Sequence, residues 1–475
     1  MSTINIVGLG PGDPELITRK AWALLTGAPE VRVRTLHHPA VPVLARHTQI
    51  KSYDYLYEQH HDFDSVYAAI AGDIVARAER GQDVVYAVPG DPGVAEATTQ
   101  AIRRLASDRS ISCAVHPGVS FIEPTFAALG EDPIRGVEFV DATTLAHAHH
   151  PPGSPQHGLL VAQLYSRYLA SDVKLTLMNA YPDEHPVTLV SGAGTPDLRL
   201  KTLPLYELDR HDVFGDMTTL WVPPLARPGG YDALQEVIAH LRAPDGCPWD
   251  REQTHESLRP YLLEETYEVL EALDRDDAAA LAEELGDLLI QVALHVQIAT
   301  EEGAFKLPDV IGHVVEKLIR RHPHVFADVQ VADAEEVTRN WEAIKEQERQ
   351  QARTEGETTR ATLLDGIPRA LPALALAQSY VERLHRVGYP LPAAHPLDER
   401  ELGQRLLALV EEAQAAGLNA EAALRQTCAA LRRRLRAVEA AAPEASLLDL
   451  ERSRQRELWL AHPLWSDSPS AQPDS

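Results

Sequence analysis

The chain's 475 residues exceed what one ordinary core organises and suit two or three domains of about 150 residues each. Apolar residues make up 44% and charged residues 24%, a soluble globular composition. Forty-four basic against seventy acidic residues leave a formal charge of −26. That charge repels nucleic-acid backbones and anionic lipid, so neither a nucleic-acid polymer nor a membrane is expected as partner, whereas divalent cations are compatible with it. Cys113, Cys247 and Cys428 lie far apart without a CxxC pair, which excludes a disulfide scaffold and a zinc ribbon and fits a cytoplasmic setting. No apolar run reaches about 18 residues, and Met1 to Asn5 leads straight into a strand without a signal-peptide pattern.

Up to about residue 225, short β-branched runs alternate with helical stretches and Gly/Pro punctuation. Strands are expected at Ile4–Val7, Val84–Val88, Leu159–Leu164, Leu175–Met178, Thr188–Val190 and Thr219–Val222, in an α/β arrangement with a largely parallel sheet. The Pro/His-rich stretch HAHHPPGSPQH, His147 to His157, reads as a solvated loop between two α/β halves, since its histidines have no ligand spacing. After Val222-Pro223-Pro224 the strand signals vanish and helical periodicity takes over. A charged linker, Gln350 to Thr359, divides the helical part. The expected organisation is an α/β domain over 1–225, an all-α domain over 231–350, a further helical block over 361–462 and a disordered polar tail, 463–475.

Three of the early strands end in glycine elbows. Gly8 and Gly10 run into Pro11-Gly12-Asp13; the second elbow is Pro89-Gly90-Asp91-Pro92; the third is Pro117-Gly118-Val119-Ser120. Glycines let a ligand approach the backbone, and in an open parallel sheet the crevice lies at the carboxyl ends of the strands. The first elbow is GxGPGD, so a GxGxxG dinucleotide fingerprint fails on spacing.

GLGPGDPELIT, AVPGDP and HPGVSFIEPTFAALG, with QLYSR and LTLMNAYPDEHPVTLV, resemble the S-adenosylmethionine-dependent tetrapyrrole (corrin/porphyrin) methylases over about residues 3 to 223. The resemblance implies a two-lobed α/β fold with S-adenosylmethionine between the lobes, against Gly90-Asp91-Pro92 and Gly118-Val119-Ser120. Gly8 to Asp13 would face the substrate side, and a tetrapyrrole would be the methyl acceptor.

The densest chemistry lies in Glu264 to Asp287, where ten carboxylates accompany one base, Arg275. The pattern is helix, Asp-rich turn at 274–277, helix: an antiparallel hairpin. On a helical wheel Glu265 falls inside the apolar arc of Leu258, Leu262, Val269 and Leu273, with Glu268 beside it. Glu264 and Glu271 turn outward. On the second helix Glu284 borders the Leu281/Leu285/Leu288/Val292 stripe, and Asp287 lies farther round. Carboxylates aimed into a helix interface are costly unless a hard dication joins them, and oxygen ligands at i, i+3 on facing helices suit Mg²⁺ or Mn²⁺ better than a calcium site. Lys317, Arg320 and Arg321 on a later helix offer phosphate contacts; Trp341, beside Lys345, is either a base-stacking or a packing aromatic.

CPWDREQTHESLRPYLLEETYEVLEAL, LAEELGDLLIQVALH, EKLIRRHPHVFADV and NWEAIKEQE resemble the MazG nucleoside triphosphate pyrophosphohydrolases over about 231 to 350. The resemblance implies Mg²⁺ (or Mn²⁺) on Glu265, Glu268, Glu284 and Asp287, with Glu264 as a proton acceptor for water. Phosphate and base contacts would come from Lys317, Arg320, Arg321, Trp341 and Lys345. The implied reaction is NTP + H₂O → NMP + pyrophosphate, and the implied assembly a homodimer through the helical half.

Residues 361–462 resemble a degenerate second copy of the same unit. Glu401 stands for Glu284, but Gln404 stands for Asp287, no EExxE helix precedes them, and Ala430 stands for Lys317. Arg433 and Arg434 stand for Arg320 and Arg321, and Trp459 for Trp341. This block is expected to pack or dimerise without catalysis. Two other readings stay open: a methylase as principal activity with an accessory helical part, and a non-enzymatic nucleotide or metal sensor.

Overall fold

The computed structural model describes residues 2–60, 62–227, 229–354, 363–364, 366–392, 397–442 and 447–464. Residues 355–359 of the expected linker and 465–475 of the expected tail lie outside them. The chain forms two compact units, Met1–Gly312 and His313–Ser475.

The first unit begins with a five-stranded parallel sheet: β1 (Thr3–Gly8), β2 (Glu30–Val33), β3 (Gln49–Ser52), β4 (Val84–Val88) and β5 (Ser112–His116), in the order β3-β2-β4-β1-β5. Both faces are covered, which is why the central strands read as continuous apolar runs. Ile4, Ile6 and Tyr86 pack on the helices Phe63–Glu79 and Ala97–Asp108; Val7, Val31 and Val33 pack against Leu25 of the helix Arg19–Gly27.

A second sheet holds β6 (Val137–Asp141), β7 (Gly158–Ala162), β8 (Pro186–Ser191), β9 (Arg199–Pro204) and β10 (Thr218–Val222), in the order β6-β7-β10-β8-β9. Here only β6 and β7 run parallel, so the expected parallel arrangement holds for the first lobe alone. The cause is local: a short connection through Gly192 and Gly194, both at positive φ, folds β8 back on β9, and a hairpin is antiparallel by necessity. Leu175–Met178 is not a strand. It closes the helix Arg167–Leu177, whose Leu169, Val173 and Leu177 sit in the second lobe's core. A short apolar run does not distinguish a buried helix from a strand.

Beyond β10 the described residues contain no strand. Helices follow: α1 (Tyr231–Arg242), α2 (Arg259–Asp274), α3 (Ala278–Glu302), α4 (Leu307–Arg321), α5 (Ala334–Thr354), α6 (Ala373–His385), α7 (Glu399–Ala415), α8 (Ala420–Ala440) and α9 (Arg452–Ala461), with short helical turns at Pro248–Glu252 and Pro323–Phe326. The Asp277 carboxylate caps α3 by accepting from the Ala279 and Ala280 N–H groups, and Gly303 ends it in the left-handed conformation. The second half of α3 packs through Ala293, Leu294 and Ile298 on Ile238 of α1 and on Leu258, just ahead of α2. In the second unit α6, α8 and α9 enclose Tyr380, Leu384, Cys428, Leu435, Val438 and Trp459, whose indole N–H donates to the Val387 carbonyl at 2.7 Å.

Candidate functional site

At the carboxyl edge of the first sheet the three elbows are fastened to one another. The Gly10 and Gly90 backbones exchange hydrogen bonds of 3.3 and 2.7 Å, and the Leu9 N–H donates to the Val88 carbonyl at 2.8 Å. Asp91 accepts from the Gly93 and Gly118 N–H groups at 2.7 and 2.9 Å, so its carboxylate ties the second elbow to the third. A Cβ on Gly8 or Gly118 would stand 2.6 Å from the Gly90 carbonyl oxygen, which explains why glycine is required at both. Gly90 itself is open: a Cβ there meets only the Ser120 Cα, at 3.9 Å. Pro89 and Pro92 flank this opening in sequence, and the Ser120 hydroxyl donates to Glu123. The cradle is thus a glycine-lined edge at which a ligand can approach backbone. Gly12 and Asp13 face the other lobe. The Asp13 N–H donates to the Gly194 carbonyl at 2.9 Å, and a Cβ on Gly12 would meet Thr195 at 2.5 Å.

Sequence reasoning missed two polar groups at this edge. Buried His38 places Nε2 3.0 Å from the Gly10 carbonyl, while its Nδ1 accepts from the Ala40 N–H at 3.3 Å. These partners require the neutral ring protonated on Nε2, and burial lowers the pKa to about 4. Just past β2, Arg34 pairs with buried Glu96 at 2.7 Å, and Glu96 also accepts from Thr98, which contacts the Tyr86 hydroxyl. Both devices join residues distant in sequence, and no local pattern announces them.

The second constellation lies on α2 and α3. Glu265, Glu268 and Glu284 bring one carboxylate oxygen each within 4.8 Å of one another. Asp287 stands outside that trio but close enough to act electrostatically on Glu265 and Glu284, and Glu264, exposed, acts on Glu265. Among the described residues no base pairs with any of these five acids; the nearby Arg275 is engaged by Glu271. Partial burial, then repulsion from neighbouring carboxylates, raises the pKa of Glu265 and of Glu284. Hard oxygen donors crowded in this way are the donor set a hard dication fits. The expected apolar stripes behave differently from the wheel. On α2 only Ala272 is buried, and Leu273, Leu285 and Val292 are exposed, because two helices alone leave their joint outer face uncovered.

The basic candidates belong to the second unit. Arg321 and Lys345 lie over the Trp341 ring at 5.4 and 4.1 Å, which makes Trp341 a cation platform. Arg320 and Arg321 share Glu348, at 2.8 and 2.7 Å, and the arginines in turn hold its carboxyl below the usual range. Lys317, Arg321, His322 and Trp341 line an open cavity of about 430 Å³. His322 bonds the Leu318 carbonyl through Nδ1 and neighbours His324, as turn residues do.

Comparison with known proteins adds a frame to this geometry. A family model described as Tetrapyrrole (Corrin/Porphyrin) Methylases matches residues 3–209, and one described as MazG nucleotide pyrophosphohydrolase domain matches residues 253–326. The latter span includes all five acids and Lys317, Arg320 and Arg321, but not Trp341 or Lys345. YabN of Bacillus subtilis is 39% identical across 96% of this chain and 97% of its own. A nucleoside triphosphate pyrophosphohydrolase of Escherichia coli is 38% identical over 48% of this chain and 95% of its own. The nucleoside triphosphate pyrophosphohydrolase/pyrophosphatase MazG of Thermotoga maritima is 44% identical over 34% of this chain and 58% of its own.

Two outcomes follow for the glycine edge. Gly118→Ala forces a methyl against the Gly90 carbonyl and should destabilise the fold by about 1–3 kcal/mol, read as a lowered Tm. Below pH 6.5 the unfolded chain takes up a proton that folded His38 refuses until about pH 4, so stability falls as pH drops through that window. His38→Gln should flatten this part of the Tm-against-pH curve; an unchanged slope would refute the assignment.

Proposed function

The chain belongs to the family of YabN, with a tetrapyrrole methylase domain ahead of a MazG nucleotide pyrophosphohydrolase domain, and on that premise we propose that it hydrolyses nucleoside triphosphates by the reaction NTP + H₂O → NMP + pyrophosphate. The observation that carries this reading is the Glu265/Glu268/Glu284 trio, crowded within 4.8 Å with no described base to neutralise it. These three residues and Asp287 are proposed to hold Mg²⁺ or Mn²⁺. The bound ion supplies Lewis-acid charge neutralisation and an acidified water at neutral pH. Glu264, exposed beside the trio, is proposed to accept the proton of the attacking water, in keeping with its outward turn. Lys317, Arg320, Arg321 and Lys345 are proposed as phosphate contacts and Trp341 as the base contact. Glu348 would keep the two arginines extended and oriented in the free protein, and phosphate would share them on binding.

The domain limits proposed are 1–225, 231–350 and 361–462, with a short tail beyond. In the last block Gln404 and Ala430 replace an acid and a lysine, so packing and not turnover is its proposed role. A second observation favours an additional activity: the elbow edge is open at Gly90 and flanked by Ser120. Gly90–Pro92 and Gly118–Ser120 are proposed to hold S-adenosylmethionine, with a tetrapyrrole as acceptor; the group supplies an electrophilic methyl when bound. A homodimer through the helical half is proposed because Leu263, Tyr267, Leu270, Leu285 and Leu289 are all exposed on α2 and α3. No described helix is long and apolar enough to cross a membrane, and a cytoplasmic location is proposed.

With Mg²⁺ and each of the eight common NTPs and dNTPs, the product should be NMP and pyrophosphate, resolved from orthophosphate by chromatography. Glu265→Gln and Asp287→Asn should each lower turnover by about 10²-fold or more while the circular dichroism spectrum is kept. Turnover near that of the unmodified chain would sink the assignment. Because partial burial, and then neighbouring carboxylates, raise the Glu265 and Glu284 pKa values, their ionisation destabilises the metal-free fold as pH rises above about 4.5. Mg²⁺ at about 100 times its Kd should therefore raise Tm at pH 7.5, by the equivalent of about 2.7 kcal/mol. Glu265→Gln should remove most of that increment.

A further inference from the structure

A second cavity, of about 340 Å³, opens in the His313–Ser475 unit between α6 and α8. Five arginines line it: Arg369, Arg425, Arg432, Arg433 and Arg436. Its remaining lining is apolar, from Leu376 and buried Tyr380 on α6 and Ala429 on α8. The sequence builds this wall deliberately. Positions 425, 429, 432, 433 and 436 recur at helical spacing on one face of α8, while Cys428, Leu431, Leu435 and Val438 occupy the opposite, core-facing side. Arg425 is committed to structure: it donates to the Arg369 and Leu371 carbonyls at 2.7 and 2.9 Å and pairs with Glu421 at 2.6 Å. It therefore clamps the turn that carries Arg369 to the cavity. No described carboxylate pairs with Arg369, Arg433 or Arg436, although the chain carries 26 more acidic than basic charges. Arg433 and Arg436, three residues apart on one face of α8, repel each other, so an anion in this cavity relieves that repulsion.

We propose that this cavity binds a nucleoside phosphate, its phosphates held by Arg369, Arg433 and Arg436 and its nucleoside against Leu376, Tyr380 and Ala429. Guanidinium forks match phosphate oxygens, and the apolar floor suits a base or ribose. The site binds without turnover, because α8 and α6 bring no carboxylate cluster to it. It shares no residue with the trio on α2 and α3 and does not depend on the hydrolysis proposed for them.

The test uses the full chain carrying Glu265→Gln and Glu284→Gln, in EDTA, titrated calorimetrically with ATP, AMP and pyrophosphate. Saturable 1:1 binding of ATP is expected, weaker for AMP and weakened further by salt. Arg433→Gln with Arg436→Gln should reduce the ATP affinity at least tenfold; both positions are exposed, so the Tm should hold. Ala429→Glu, which sets a carboxylate at the cavity wall, should do the same and guards against a folding artefact of the first variant. Absence of saturable ATP binding, or affinity indifferent to both variants, would overturn the proposal. So would pyrophosphate binding as tightly as ATP, which would leave a bare phosphate site, or an oligonucleotide that binds where ATP does not.

Discussion

Repulsion among the Glu265, Glu268 and Glu284 carboxylates is the constraint around which the helical half is arranged. Their oxygens lie within 4.8 Å of one another, and no described base intervenes. A hairpin with this charge on its inner side cannot be held by its own apolar contacts: on α2 Ala272 alone is buried, and large apolar side chains face outward. The joint is held at its ends. Asp277 caps α3 at the turn, while α1 grips the far half of α3 through Ile238, Leu294 and Ile298. Stability is thus placed away from the acids, and the fold itself leaves their repulsion standing.

The α/β unit meets the opposite problem. Its elbows bring backbone against backbone at an open edge without leaving the amides there unpaired. The solution is mutual: Gly10 and Gly90 pair with each other, and Asp91 spends both carboxylate oxygens on the Gly93 and Gly118 amides. Glycine at positions 8 and 118 is the steric condition for that closeness, and the Gly194 carbonyl then ties Asp13 to the second lobe. An open edge at Gly90 and a fastened loop system arise from one set of contacts.

What was legible in the sequence was whatever short-range periodicity encodes. EExxE and ExxD place acids at i, i+3 on each helix, and the wheel put Glu265 on the inner side, where the trio forms. The elbows were legible because glycine after a β-branched run has few other uses. The antiparallel order of the second sheet was hidden, since pairing direction depends on a turn at Gly192–Gly194 and not on strand composition. Leu175–Met178 misled because apolar content alone fits helix or strand. His38 and the Arg34–Glu96 pair were invisible for a different reason: each partner lies far along the chain and acquires meaning only once β2, β4 and β1 stand side by side in the sheet.

The two helical blocks each set an arginine against a tryptophan. Arg321 lies 5.4 Å from the Trp341 ring, and Arg434 lies 5.2 Å from the Trp459 ring. In each pair of adjacent arginines the second is anchored within the protein: Arg434 donates to the Trp459 and His462 carbonyls, and Arg321 pairs with Glu348. The first member is where they diverge. Arg320 shares Glu348, whereas Arg433 turns to a cavity with no described acid. Guanidinium groups attract phosphate whether or not carboxylates stand beside them to hold a metal. Arg433 and Arg436, exposed on one face of α8 and lining the cavity, give this block a physical means to recognise an anion without a metal.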